Sequence, residues 1–475
     1  MAKETQTTTP QKSEKSALTI ERKTVWEKAD SATKQKIFAF AQDYKQFLAA
    51  AKTERVATKE IIARLKKAGF IDFETTTKVS AGMRIYHNYK NKSVFAAVIG
   101  EDNSHMNLVG SHLDSPRLDV KPNPLVEKNG VALLKTHYYG GVKKYQWLNT
   151  ELALYGVLET KSGKQIEFSL GEKDDEPKFM INDLLPHLAK DQLDKNAREF
   201  INAEQLQIYV GTIPVESKEA KEKVKTAVLE YLNKEYSMTE EDFLYAELTF
   251  VPAGKPSDIG FDRSLVCGYG QDDKICAYST LSALLDVKNP TITAVAYFAD
   301  KEEIGSVGNT GAASFTLQNF IMMLLAKSNA KDTKNSICAQ EFLGRSCAIS
   351  ADVTAAMDPI FAEVHDERNA AYIGCGVAIN KYTGSGGKYS ANDASSEYMN
   401  IIRRVANAAN VAVQVGELGK VDAGGGGTIA LYLSRFGMDV IDAGPALLGM
   451  HAPREISSKA DLYEAYKLYK AFLQQ

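Results

Sequence analysis

Apolar and polar positions follow two different periods along the chain, and their order divides it into three stretches. From Lys34 to Ala51, Ile37, Phe38, Phe40, Ala41, Tyr44, Phe47 and Leu48 recur at helical spacing, and Thr58 to Lys67 repeats the pattern until Gly69 stops it. Arg84 to Tyr89 and Ser93 to Ile99 read as strands, and they lead to the apolar segment His105 to His112, which ends in a polar cluster. Beyond Pro116 the character changes. Glu151 to Leu158 and Gln165 to Leu170 alternate as exposed antiparallel strands do, Lys173 to Gln205 is highly charged with a mostly helical pattern, and Lys218 to Lys234 predicts a charged amphipathic helix. From about Phe261 strands and helices alternate again. Strands are expected at Ser264 to Gly268, Ile292 to Ala299, Cys347 to Ala351, Val411 to Val415 and Asp439 to Asp442. Helices are expected at Ile275 to Asp286, Phe320 to Lys327, Glu397 to Asn410 and Lys459 to Leu473.

This order predicts an α/β fold, a mixed but mostly parallel sheet sandwiched by helices, formed discontinuously by residues 17–117 and 254–475. The β-rich section 118–253 reads as an inserted domain, and residues 1–16, rich in Thr, Lys, Glu and Gln, as a disordered tail.

Chemistry-bearing residues collect where the apolar strands end. Ile292 to Ala299 suits a strand covered on both faces, and Glu302 and Glu303 stand just past it. His112 and Asp114, Asp352, and His451 follow other apolar segments, while Asp272 opens a helix from Gly270-Gln-Asp-Asp-Lys274. Each has an ordinary explanation taken singly: a solvated Lys-Glu-Glu turn, a turn closed by a local hydrogen bond, a helix cap, a half-buried histidine. Their shared position at strand ends, where open α/β sheets bind ligands, makes a joint accident much less probable than a site.

Composition narrows the chemistry. The chain has 475 residues, 44% hydrophobic and 25% charged, enough for two or three domains with sizeable cores. A net charge of -3 gives no reason to expect a nucleic-acid partner, and no apolar run is long enough to span a membrane. The polar start, Met1 to Ser16, lacks a secretory pattern. Cys267, Cys276, Cys338, Cys347 and Cys375 include no CxxC pair, which disfavours zinc fingers and a disulfide framework and points to a reducing cytoplasm. Any metal would therefore be held by carboxylate and imidazole. Two histidines and three carboxylates suit two divalent ions, with a carboxylate able to bridge them, a neighbouring glutamate able to move a proton, and Asp114 able to orient His112 from behind.

Gly110-Ser-His112-Leu-Asp114-Ser-Pro-Arg117, Gln271-Asp272-Asp273-Lys274, Asp300-Lys-Glu302-Glu303-Ile-Gly-Ser306, Ser350-Ala-Asp352 and Gly449-Met-His451-Ala-Pro-Arg454-Glu455 together resemble the aspartyl aminopeptidase family of zinc aminopeptidases, in order from about residue 20 to the end. The resemblance implies a dinuclear site, most readily of zinc with cobalt or manganese as alternatives. On it His112 binds one metal, His451 the other, Asp272 bridges, and Glu303 and Asp352 complete the ligand spheres. It further implies Glu302 as general base, Asp114 behind His112, the inserted section as a dimerisation domain, and six dimers assembled into a tetrahedral dodecamer. For the peptide substrate it suggests His187 as a histidine lent across subunits, Lys381 or Lys388 as readers of an acidic side chain, and a close backbone approach at Gly425 and Gly426. A solvated lysine and a plain tight turn are the competing readings of those last groups. Two other functions share parts of this pattern: a co-catalytic zinc carboxypeptidase or amide deacylase, and a non-catalytic assembly or cargo protein.

Overall fold

A computed structural model describes residues 19–161, 163–328 and 338–475. The tail expected over residues 1–16 lies outside them. The described residues form three sheets of nine, six and five strands.

At the middle of the nine-stranded sheet Ile292–Ala299, Asp102–His112, Cys347–Ser350 and Asp439–Gly444 lie side by side and parallel. Antiparallel pairing appears toward the flanks, where Ser93–Val98 runs against Ile292–Ala299 and Val377–Asn380 against Asp439–Gly444. The sheet is buried on both faces, so its strands read as continuous apolar runs, and successive side chains enter two different cores. Val94, Ala96 and Val98 pack beneath the helices Ser31–Ala50, Gln271–Asp286 and Lys459–Leu473. Phe95 and Ala97 face the opposite core, where Phe95 stacks between Tyr297 and Phe320 at ring separations of 4.4 and 4.8 Å.

Helix boundaries follow from capping, which apolar periodicity does not register. The first long helix begins at Ser31 because the Asp30 carboxylate accepts a hydrogen bond from Thr33 N at 2.7 Å. The next, Glu54–Lys67, begins four residues before the expected Thr58, and there the Thr53 side chain makes no cap bond.

All strands of the six-stranded sheet come from the section between Arg117 and Pro252, and they surround a core that includes Leu118, Trp147, Leu154, Phe168 and Phe250. The helical pattern expected over Lys173 to Gln205 is not realised. That stretch holds only the single turns Pro186–Leu188, Lys190–Leu193 and Ala203–Gln205. Its charged residues are spent on loop closure: one oxygen of Glu176 accepts the backbone N–H groups of Gly171, Glu172 and Lys173 at 3.0, 3.1 and 3.2 Å. The following helix runs over Lys223–Tyr236 rather than Lys218 to Lys234, since Glu127 of a neighbouring strand accepts from Val224 N and Lys225 N at 2.8 and 3.0 Å and so fixes its start. No helix among the described residues is long and apolar enough to cross a membrane.

Candidate metal centre

Parallel pairing brings the acidic strand ends to one edge. Ala299 is in register with His112, and Ser350 with Gly110, so Glu302, Glu303 and Asp352 leave the sheet beside His112. Asp272 joins them from the kinked, non-helical start of the segment Gln271–Asp286, after Gly270 at φ +72° and before a cis peptide to Asp273. His451 comes from the turn before the strand Glu455–Ser458.

Asp272 is the centre of the cluster. Its Oδ1 lies 3.1 Å from His112 Nε2 and its Oδ2 lies 3.2 Å from His451 Nε2, so one carboxylate faces both imidazoles. Glu303 Oε2 approaches His451 Nε2 at 3.3 Å, and Asp352 Oδ1 approaches His112 Nε2 at 4.0 Å. The Nδ1 atoms of the two histidines face backbone carbonyls, that of Asp114 at 3.1 Å for His112 and that of Gly141 at 2.9 Å for His451. Both rings thus direct Nε2 into the cluster, as a metal ligand must. Asp114 is fully buried. Its oxygens accept Glu302 N and Glu303 N, each at 3.1 Å, and Tyr139 Oη at 2.8 Å, which fixes the turn that carries both glutamates.

The residues fit divalent ions. Ligand atoms of His112, Asp272 and Glu303 lie within 4.8 Å of one another, as do those of His112, Asp273 and Asp352. Glu303 Oε1 is buried without a hydrogen-bond partner, which a cation would supply. In the metal-free cluster burial pushes Glu302 up to about 7, with Asp114 and Asp272 adding to the rise and His112 opposing it, and burial raises Glu303 and Asp352 well above the carboxylate range. His451 is held at about 10: burial works against its charge, but the Asp272 hydrogen bond and the Glu303 charge outweigh it.

A family model described as aminopeptidase I zinc metalloprotease (M18) matches residues 47–473. The chain belongs to the M18 aminopeptidase family. A probable M18 family aminopeptidase 1 of Thermotoga maritima is 48% identical over 457 residues, covering 96% of this chain and 99% of the relative. A solved M18 aminopeptidase structure from Thermotoga maritima aligns with a TM-score of 0.91 at 47% identity, covering 96% of this chain and all of that one. A structure of the S. cerevisiae mApe1 dodecamer shares the fold, with a TM-score of 0.73 at 19% identity over 92% of this chain and 96% of its own. The M18 enzyme is therefore a zinc metallopeptidase that hydrolyses the N-terminal residue of peptides.

The M18 aminopeptidase opens this cluster of imidazoles and carboxylates into a cavity of about 620 Å³ whose walls include Asp272, Glu302, Glu303, Asp352, His451, Tyr382, Lys388 and the turn Gly424 to Gly427. Gly425 and Gly426 line it. At Gly425 the backbone adopts φ +154°, and a Cβ there would run into Gly384 O. Lys388 also reaches it, with its ammonium 3.9 Å from the Tyr382 ring and 2.9 Å from Asp393. Lys381 pairs with the same aspartate and is not part of the wall. His187 stands in the exposed turn Pro186–Leu188 and does not line this cavity. Sequence reasoning assigned no role to Tyr139, Gly141 or Glu455. The first two carry no local signal, since each acts on a residue 25 and 310 positions away respectively. Glu455 stood in a family-like segment without a stated function.

Proposed function

We propose that this aminopeptidase works with two divalent ions, most readily zinc. His112 and Asp352 would hold one, His451 and Glu303 the other, and Asp272 would lie between them. The carrying observation is that the two oxygens of Asp272 face the two Nε2 atoms separately. When bound, the ions polarise the scissile carbonyl and acidify the attacking water. Glu302, anchored through its backbone N–H to Asp114, takes the water's proton and delivers it to the departing amine nitrogen. Gly425 and Gly426 let the peptide backbone approach closely, and Lys388 meets an acidic N-terminal side chain. His187 reaches a neighbouring subunit's site in a tetrahedral dodecamer of six dimers, each built through the inserted domain, and the five unpaired cysteines suit a cytoplasmic enzyme.

A panel of Asp, Glu, Leu, Lys and Met p-nitroanilides with free and acetylated amines, assayed with zinc-, cobalt- and manganese-loaded protein, tests this. The free amines are expected to be cleaved and the acetylated forms not, with Asp or Glu fastest. A faster rate on Leu or Met than on the acidic substrates would remove the role given to Lys388. Sedimentation velocity on the same samples distinguishes dimer from dodecamer.

Metal removal has a predictable pH dependence. Glu302 has an ordinary value of 4.5 and is raised to about 7, so between those values the unfolded chain has released a proton that the folded chain keeps. His451 is raised from 6.5 to about 10, with the same sign. Stability of the metal-free protein should fall as pH rises from 5 to 9, by roughly 1 kcal/mol or more across that range given 1.36 kcal/mol per pKa unit. Zinc should remove most of the fall. Thermal denaturation with and without chelator measures both, and a metal-free protein whose midpoint rises through this range would contradict the arrangement of charges.

A further inference from the structure

The two imidazoles of the cluster are not held in the same way. His112 is part of the central sheet, and its backbone N–H donates to Asp273 Oδ2 at 3.1 Å. His451 lies in a turn at φ +67°, outside any strand, and its backbone N–H donates to Glu455 Oε1 at 2.9 Å. The other oxygen of that carboxylate accepts Gln271 N at 2.6 Å and Asp272 N at 3.2 Å. Glu455 is 1% exposed, so one buried carboxylate ties three backbone N–H groups from two segments 180 residues apart. Such an acceptor of several N–H groups is a rigid clamp, because releasing any of them leaves a backbone donor unpaired away from water.

Its own placement is fixed. Gly268 is in register with Glu455 across the pairing of Leu265–Gly268 with Glu455–Ser458, and Gln271 Nε2 donates to Glu455 O at 2.7 Å while its Oε1 accepts Ser457 Oγ at 2.5 Å. Asp272 keeps an independent hold on its far side, where Ser115 Oγ donates to Asp272 O at 2.5 Å and the buried Lys274 ammonium donates to Ser115 Oγ at 2.5 Å. Among the described residues His451 makes one further hydrogen bond from outside the cluster, Nδ1 with Gly141 O, while Ala452 N donates to Gly449 O at 2.9 Å across its turn.

We infer that Glu455 is a positioning residue that sets the separation of His451 from Asp272, and so governs the metal site of His451 and Glu303 while leaving that of His112 and Asp352 nearly unaffected. The inference rests on the two-ion reading above. In Glu455→Gln, one acceptor becomes an NH2 group that faces a backbone N–H, so one side of the clamp opens with no change of shape.

Zinc titration by calorimetry, with metal content by mass spectrometry, reads the two sites without using activity. Wild type should bind two zinc ions. Glu455→Gln should bind one with wild-type affinity and the second about 10- to 100-fold more weakly, the range found when groups that orient metal ligands are lost. Glu455→Asp, which keeps the charge but shortens the reach, should show the same asymmetry and covers the case in which the glutamine variant does not fold. Asp461→Asn is the control: that buried carboxylate accepts Gly374 N and Gly376 N, both at 2.7 Å, away from the metals, so its loss should lower the unfolding temperature and leave both zinc affinities intact. Equal weakening of both sites in the Glu455 variants, no weakening of either, or zinc loss in Asp461→Asn that matches theirs would overturn the inference. A wild type that binds a single zinc would instead refute the two-ion reading on which it stands.

Discussion

Glu302→Gln should lower kcat by about 10²- to 10⁴-fold, the range a positioned general base contributes, while both zinc ions stay bound. The substitution preserves shape and removes only the capacity to accept a proton. Glu302 is suited to that task because it lines the cavity beside Asp272, Glu303 and Asp352, where the attacking water would stand. Its backbone N–H and that of Glu303 share the Asp114 carboxylate, so the base and the neighbouring ligand are oriented by one group. Steady-state turnover of an aminoacyl p-nitroanilide and zinc content measured on the same sample decide the matter. Full metal content with activity retained would take the base role away from Glu302.

Asp272→Ala is expected to be more severe still, with both zinc affinities reduced and activity lost by at least about 10³-fold, since polarisation by an ion supplies several kcal/mol and each ~1.4 kcal/mol is tenfold. Asp272 alone meets both Nε2 atoms at 3.1 and 3.2 Å, whereas Asp352 and Glu303 each approach one. The diagnostic comparison is with Asp352→Ala, where zinc loss should be confined to one site. Retention of two tightly bound ions in Asp272→Ala would exclude a bridging role.

The central parallel strands and the residues at their ends were legible because they depend on local pattern. Ile292–Ala299 is a continuous apolar run in a strand buried on both faces, and the polar residues after such a run must emerge at its end. The same logic placed His112, Asp352 and Glu302 before any contact was known. It failed over Lys173 to Gln205, where charge spaced as in an amphipathic helix closes loops instead: Glu176 satisfies three N–H groups, a use of a carboxylate that periodicity does not distinguish from a solvated helix face.

The amino-acid sequence by itself determined the long apolar strands and most of the long helices, and that histidines and carboxylates stand at strand ends, since both follow from the period of side chains along a chain. The tertiary structure alone decided which of these residues share a metal, and which groups hold them. Parallel register set Ala299 beside His112, Gly141 oriented His451, and Glu455 joined Asp272 to His451. Each of the contacts across the cluster joins segments whose approach is fixed by packing of the whole sheet, and a one-dimensional period carries no information about distance between segments.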